Sequence, residues 1–317
     1  MKKKRKKFLA LLSALLCVLL IAFSGCTPVE QLQSDFQIVT SFYPMYLFTR
    51  NLTEGISSVK VLNMTAQNAG CLHDYQLLSK DMKALGAADA FVINGAGMEG
   101  FLDKVIEQLP DLPVVTASEG IAILCEEEEH GHEADEAHGH AGHEHEENAH
   151  VWLAVPNAIQ EVNNIARGLQ QLLPGYADTI EGNRASYVKR LEALDAELMK
   201  TLAPVKGAEI ISFHEAYDYF AQRYGLVIAG AIETHDGGEP GTKELIETVE
   251  LIRSHGIRAI FIEPDYQGSS AGILSRETGA KLCTLNPVTQ GADSLTAYED
   301  IMRENAKIIL EAVENGG

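Results

Sequence analysis

Short apolar runs rich in β-branched residues alternate along this chain with longer stretches whose apolar positions recur every three or four residues. QIVTSF, VKVLN, DAFVING and PVVTAS read as strands in the first half, and EIISFH, LVIAGAI, AIFIEP and KLCTLN in the second. Helical patterns such as SKDMKALGAAD, FLDKVIEQL and TKELIETVELIRSHG fall between them. Strand alternating with helix predicts βα units on mostly parallel sheets. The alternation occurs twice, with about four strands each time, so an α/β fold of two lobes is expected.

The two sets are separated by residues 156–204, which read as helical almost throughout. Pro174-Gly175 breaks that segment into two helices. Beyond the break Tyr187, Leu191 and Leu194 keep helical spacing. A helix of that length, rising about 1.5 Å per residue, reaches from one lobe to the other. The expected layout is a first lobe over residues 36–175, a rigid linking helix over 176–203 and a second lobe over 204–317. The competing arrangement, an ordinary packed helix in one large sheet domain, is less favoured.

The N-terminus changes the picture of where the chain works. MKKKRKK, then FLALLSALLCVLLIAF, then SGC form a basic region, an apolar core and a small-residue cleavage site. The apolar run is shorter than the roughly 20 residues of a spanning helix. Cys26 after Ser24-Gly25 resembles a bacterial lipoprotein cleavage box, although Phe23 is a less usual residue in it. Residues 1–25 are then a signal peptide, Cys26 the lipid-carrying first residue, and 26–35 a tether. Ordinary secretion, with Cys26 free or removed, is the alternative. The expected location is the extracytoplasmic face of the bacterial cell membrane, on the periplasmic side where an outer membrane exists.

The full chain carries a formal charge of −20. Without the six basic residues of its first seven positions, 19 basic side chains face 45 acidic ones, a charge of about −26. Nucleic acid as a partner is excluded, because it needs basic surface. A cation ligand suits that field. Five cysteines with no CxxC spacing do not make a disulfide framework.

Seven of the eleven histidines lie in EEEEHGHEADEAHGHAGHEHEENAHVW, residues 126–152. Residues 126–147 hold ten acidic side chains, six histidines and almost nothing apolar. Such a segment cannot offset its ordering entropy and is expected to be disordered without metal. Loose metal binding fits its composition, and a solvated charged insertion is the bland alternative.

His150 differs, since the ordered apolar segment HVWLAVPNA begins there. His73 lies on a loop after a predicted strand, and His214 ends the strand EIISF and opens a predicted helix, HEAYDYFAQRYG. Ligands of open α/β sheets bind beyond the carboxyl ends of strands. His73 and His214 would sit on two such rims, and a metal site in the interlobe cleft follows. Three imidazoles suffice for Zn²⁺ when a fourth ligand or water completes the tetrahedron. Taken singly, each would be polar surface. His255 reads as structural, a cation in the last turn of a helix; His235 and Cys71 are left open.

FQIVTSFYPMYLFTRNLTEG, LHDYQLLSKDMKALGAADAFVINGAGMEGFLDKV, HVWLAV, SFHEAYDYFAQRYGL and IRAIFIEPDYQ together resemble the zinc/manganese substrate-binding lipoproteins of metal ABC transporters. The resemblance implies two α/β lobes joined by a rigid helix with the metal between them. It matches His73, His150 and His214 to the family's three histidine ligands. The acidic His-rich insertion and the three histidines resemble the zinc-specific branch; Mn²⁺, which favours oxygen ligands, is the alternative metal. The chain departs from the pattern in four places. AQNAGCL replaces a proline-rich turn, Ala154-Val155-Pro156 follows Leu153 where Asp-Pro is usual, and the loop around His235 is less typical. Asn286 or Thr289 stands where a carboxylate ligand is usual. Water is the favoured fourth ligand, with Asn286, Glu263, Asp265 or a loop histidine as alternatives. Glu263 is also expected as an outer partner of a ligand histidine.

The resemblance implies capture of Zn²⁺ and delivery to a permease partner by a monomer that is not an enzyme. The loop is expected to gather zinc weakly and pass it inward; uptake left unchanged in zinc-poor medium on deleting residues 126–147 would refute that role. The rival reading is a zinc hydrolase, with Glu215 as base; yet HEAYD is not HExxH, and Asp218 stands where the second histidine belongs. GAGMEG lacks the Lys-Ser/Thr of a phosphate loop. A surface adhesin or zinc store is the third reading, separated by binding to a permease.

Overall fold

The computed structural model describes residues 35–65, 75–125, 147–232, 239–266 and 268–314. The signal segment, Cys26, Cys71, His73, His235 and the six histidines of the acidic loop lie outside the described residues. All eight predicted strands are present. The first sheet holds β1 (Phe36–Thr40), β2 (Val59–Asn63), β3 (Ala90–Ile93) and β4 (Val114–Thr116). Its order is β2-β1-β3-β4, every pair parallel. Helices α1 (Tyr43–Leu52), α2 (Ser79–Leu85) and α3 (Leu102–Gln108) follow its strands. All four residues of β3 are buried, which is why AFVI reads as a continuous apolar run rather than an alternating one.

A two-stranded ribbon, β5 (Leu124–Cys125) with β6 (Glu147–Asn148), flanks the acidic loop. Helices α4 (Val155–Leu172) and α5 (Ala177–Leu202) come next. Pro174 opens a single 3₁₀ turn between them, since it lacks an amide proton and cannot continue α4. The second sheet holds β7 (Glu209–Ser212), β8 (Val227–Ala231), β9 (Ala259–Ile262) and β10 (Lys281–Thr284) in the order β10-β9-β7-β8, again all parallel. Helices α6 (Asp218–Tyr224), α7 (Thr242–His255), α8 (Ser270–Thr278) and α9 (Ala297–Glu314) accompany it. Gly256 and Gly279 end α7 and α8 in the left-handed region, a conformation only glycine adopts without a Cβ clash, and each turns its helix back toward a strand.

The protein is therefore two α/β lobes linked by a long helix. At about 1.5 Å per residue, the 26 residues of α5 span roughly 39 Å. Ile180, Tyr187, Leu191, Leu194, Leu198 and Leu202 form its buried stripe, as the spacing predicted. Asn183 Nδ2 donates to the Leu52 and Glu54 carbonyls of the first lobe. Farther along, Arg223 of α6 pairs with Asp195, and Arg303 of α9 with Glu197. One contiguous apolar core contains Ile38 and Val92 of the first sheet, the α5 stripe, and Phe261 and Cys283 of the second sheet. Among the described residues no helix is long and apolar enough to cross a membrane.

Both sheets reverse direction at one place, between β1 and β3 in the first and between β7 and β9 in the second. Loops leaving the strands on either side of such a point diverge, and the crevice between them is where open α/β sheets take ligands.

Candidate metal centre

Those crevices supply the site. A cavity of about 10 Å³ is lined by Phe42 after β1, Met98 after β3, His214 after β7 and Glu263 after β9, together with His150, Trp152, Pro287 and Thr289. That is close to the space one water needs. It suits one ion, not an organic substrate.

His150 and His214 come from opposite lobes, and their Nε2 atoms are 3.2 Å apart. Two imidazole nitrogens at 2.0–2.1 Å from one zinc ion, at the tetrahedral angle, lie about 3.3–3.4 Å apart. The rings stand nearly perpendicular, centroids 5.0 Å apart.

The orientation of His150 is fixed by a residue that sequence reasoning missed. Asn148 Nδ2 donates to the Glu215 carbonyl and to Asp218 Oδ2, both at 2.9 Å. Its Oδ1 must then be the acceptor, and it receives the His150 amide at 3.1 Å and His150 Nδ1 at 3.0 Å. Nδ1 therefore carries a proton, and the ring is turned so that Nε2 faces His214. Asn148 is itself held from the second lobe: Tyr219 OH donates to its carbonyl and accepts the Leu124 amide. Burial, followed by the charge of Glu215, raises the Asp218 carboxyl above its ordinary range. An asparagine two residues before the histidine, in ENAH, was the available signal.

His214 reaches the cavity because β7 stops at Ser212. The Phe213 amide continues the ladder onto Phe261, and Ser212 Oγ donates to the His214 carbonyl. The helix expected from residue 214 starts at Asp218 instead, since the intervening residues are used to leave the sheet. Trp152 forms the floor, packing edge-on to Phe42 at 4.9 Å and donating Nε1 to the Pro287 carbonyl at 2.8 Å. Tyr298 OH donates to the Trp152 carbonyl at 2.7 Å. The next residue, Val288, is buried at φ 63°, a strained conformation for a β-branched side chain, held by its surroundings.

Other sequence candidates are placed differently. Asn286 spends its amide within its own turn, Nδ2 on the Gln290 carbonyl and Oδ1 on the Thr289 amide. Asp265 accepts Gln290 Nε2 at an exposed position. Neither lines the cavity. His255 lies in the last turn of α7 and meets Glu209 at 2.6 Å on the surface.

Residues 38–312 match the ZnuA family, zinc-uptake complex component A periplasmic. The zinc-binding lipoprotein AdcA of Streptococcus pneumoniae serotype 4 is 30% identical over 317 residues, covering 98% of this chain and 62% of that protein. The chain thus spans about three-fifths of that relative's length. The high-affinity zinc uptake system protein ZnuA of Bacillus subtilis is 28% identical over 319 residues, covering 97% of this chain and 98% of that one. Among solved structures, the Zn(II)-bound ZnuA-like domain of Streptococcus pneumoniae AdcA superposes with a TM-score of 0.69 at 27% identity, covering 88% of this chain and 98% of that domain. The SBP FpvC from Pseudomonas aeruginosa in complex with Mn²⁺ gives 0.76 at 27% identity, covering 89% and 100%. Matched to the family over most of its length, and 30% identical to a relative across 98% of it, this chain belongs to the ZnuA family of zinc-uptake components.

Proposed function

We propose that this protein captures Zn²⁺ outside the cytoplasmic membrane and delivers it to the permease of an ABC transporter. The observation that carries the reading is the pair His150 and His214, presented from opposite lobes with Nε2 atoms 3.2 Å apart. His73 is assigned as the third ligand on the family resemblance. The Asn148 bond supports zinc capture further, because with Nδ1 engaged Nε2 is the His150 nitrogen left to meet a metal. Neutral imidazole favours zinc over manganese, the metal named in the FpvC complex. Capture without chemistry fits a cavity with room for an ion alone. Cys26 is the proposed lipid anchor, in keeping with the lipoprotein among the relatives.

A zinc titration against a competing chelator tests the reading, on the mature chain lacking residues 126–147. One tight site per chain is expected, abolished in His150→Ala and His214→Ala. A site that prefers Mn²⁺, or one that survives both substitutions, refutes it.

A further inference from the structure

Residues 285–296 join β10 to α9 and serve two places at once. The first half belongs to the cavity. Pro287 and Thr289 line it, and the Pro287 carbonyl accepts the Trp152 indole. The second half leaves the second lobe and lies on α1 of the first. Tyr43 OH donates to the Ala292 carbonyl at 2.6 Å, and Asn51 Nδ2 to the Leu295 carbonyl at 3.1 Å. Asp293, between those two carbonyls in sequence, is held by its side chain. Its Oδ1 accepts Tyr46 OH at 3.0 Å and Arg50 Nη1 at 2.6 Å, and that Arg50 nitrogen also donates to the Tyr46 hydroxyl at 2.6 Å. Positions 43, 46, 50 and 51 share one face of the helix, at i, i+3, i+7 and i+8.

The seating is close. A Cβ at Gly291 would stand 2.8 Å from the Tyr43 hydroxyl and 3.0 Å from Ile301 Cδ1, so a side chain there would lift the chain off α1. The ties differ in exposure. Tyr43 is buried; burial, followed by the charge of Asp293, holds its hydroxyl up at about 12, so it stays a donor. The Arg50 and Asp293 side chains are 35% and 62% exposed. Exposed ion pairs are weak, so this outer tie gives way first.

We propose that residues 287–295 are a strap along the metal cavity and that the Tyr46–Arg50–Asp293 clasp sets how often it opens; this rests on the interlobe zinc site proposed above. None of the three clasp residues lines the cavity. The clasp therefore leaves the bonds between zinc and its ligands alone and changes only the cost of moving Pro287 and Thr289 aside. Opening precedes entry and release alike. Loosening the clasp speeds both and leaves their ratio, the affinity, where it was. A residue that stabilised only the loaded state would slow release and leave entry unchanged.

Trp152, the one tryptophan of the chain, lines the cavity, so its fluorescence reports zinc in stopped flow. The mature full chain is mixed with Zn²⁺ to read entry and, once loaded, with excess chelator to read release. Asp293→Asn and Arg50→Gln should each raise both rates about 3–10-fold, as loss of an exposed ion pair and a hydrogen bond implies, with equilibrium affinity within about twofold of wild type. The double variant should be no faster than the quicker single one, because both remove the same clasp. Arg303→Gln breaks the exposed tie to Glu197 on the linking helix and should leave both rates unchanged. Unchanged rates in both clasp variants, faster release matched by an equal loss of affinity, or an equal acceleration in Arg303→Gln overturns the proposal. Absence of a tight zinc site in the wild-type chain refutes instead the zinc-capture reading, and the role of the strap with it.

Discussion

Asn148→Ala tests the reasoning about the centre most directly. The side chain makes four hydrogen bonds: two received from His150 and two given to Glu215 and Asp218. A typical bond of this kind contributes about 0.5–1.5 kcal/mol net, and one to a charged group about 1.5–3. The four share one residue and do not add, so a loss near 3 kcal/mol in metal-free stability is expected. The separate consequence concerns zinc. Without Oδ1, His150 Nδ1 has no fixed acceptor, and the ring samples the other tautomer and other rotations. Losing an outer partner of this type costs about 10–100-fold in metal affinity, or about 1.4–2.7 kcal/mol. Chelator competition measures the affinity, and nitrogen-15 NMR of the imidazoles reads the tautomer. Asn148→Asp separates the two effects. It keeps an acceptor for Nδ1, so zinc binding should survive better than in the alanine variant. It also sets a second carboxylate against Asp218, so metal-free stability should fall at least as far. Zinc affinity within twofold of wild type in Asn148→Ala, alongside lowered stability, would reduce Asn148 to a packing residue and refute the argument.

Three further outcomes follow from the same physics. Glu161 is wholly buried on α4, and among the described residues neither carboxyl oxygen has a hydrogen-bond partner; burial, followed by the charge of Glu99, raises it well above the ordinary range. A raised carboxyl favours folding in its protonated form, so its contribution is present below the unfolded value of about 4.3 and fades as pH rises. Glu161→Gln should therefore gain on the wild type by up to about 1.4 kcal/mol per pH unit above that value, and parallel melting curves between pH 5 and 8 in chelator would refute it. Trp152→Phe keeps the apolar floor but strands the buried Pro287 carbonyl, a cost of about 1–3 kcal/mol; denaturant titration should show it together with weaker zinc binding. Ala154, the N-cap of α4, is buried among Ile121, Val151 and Tyr219, and its carbonyl already accepts the Asn157 amide; Ala154→Asp should therefore lower the metal-free midpoint, because it buries a carboxylate without supplying an unmet amide.

Periodicity carried most of the architecture. The inner strand β3 was legible because a parallel strand buried on both faces must be apolar throughout, as Ala90 to Ile93 are; the flanking strands β2, β8 and β10 are partly exposed and were legible as short runs between helical patterns. The α4–α5 break was legible because proline has one structural consequence there. The ribbon β5–β6 was not: two residues per strand carry no period, and its stability comes from Tyr219 of the other lobe. Glu161 was equally hidden, since a carboxylate on a helix reads as solvent-facing until its packing is known. At the centre, residue type pointed to the histidines and position to His214. Nothing local could show that His150 and His214 meet, because their contact depends on how two sheets face each other across 64 residues of chain.

That facing is itself constrained, and the constraint bears on how metal is held. Each lobe has its switch point between its first and third strands, so each offers a rim at one place only. The two rims are joined by one apolar core and by polar ties. Tyr43 OH donates to the Ala292 carbonyl, Asn51 Nδ2 to the Leu295 carbonyl, and Trp152 Nε1 to the Pro287 carbonyl. Arg190 of the linking helix reaches Glu299 of one lobe and Asn51 of the other. Lobes that share a core cannot swing apart without exposing it, at about 25 cal/mol per Å² of apolar surface. The low-cost motions are those of the strand-end loops around the cavity. Metal entry and release by this frame should therefore proceed by local rearrangement near residues 286–290, where Val288 already holds a strained backbone, rather than by rotation of one lobe about α5.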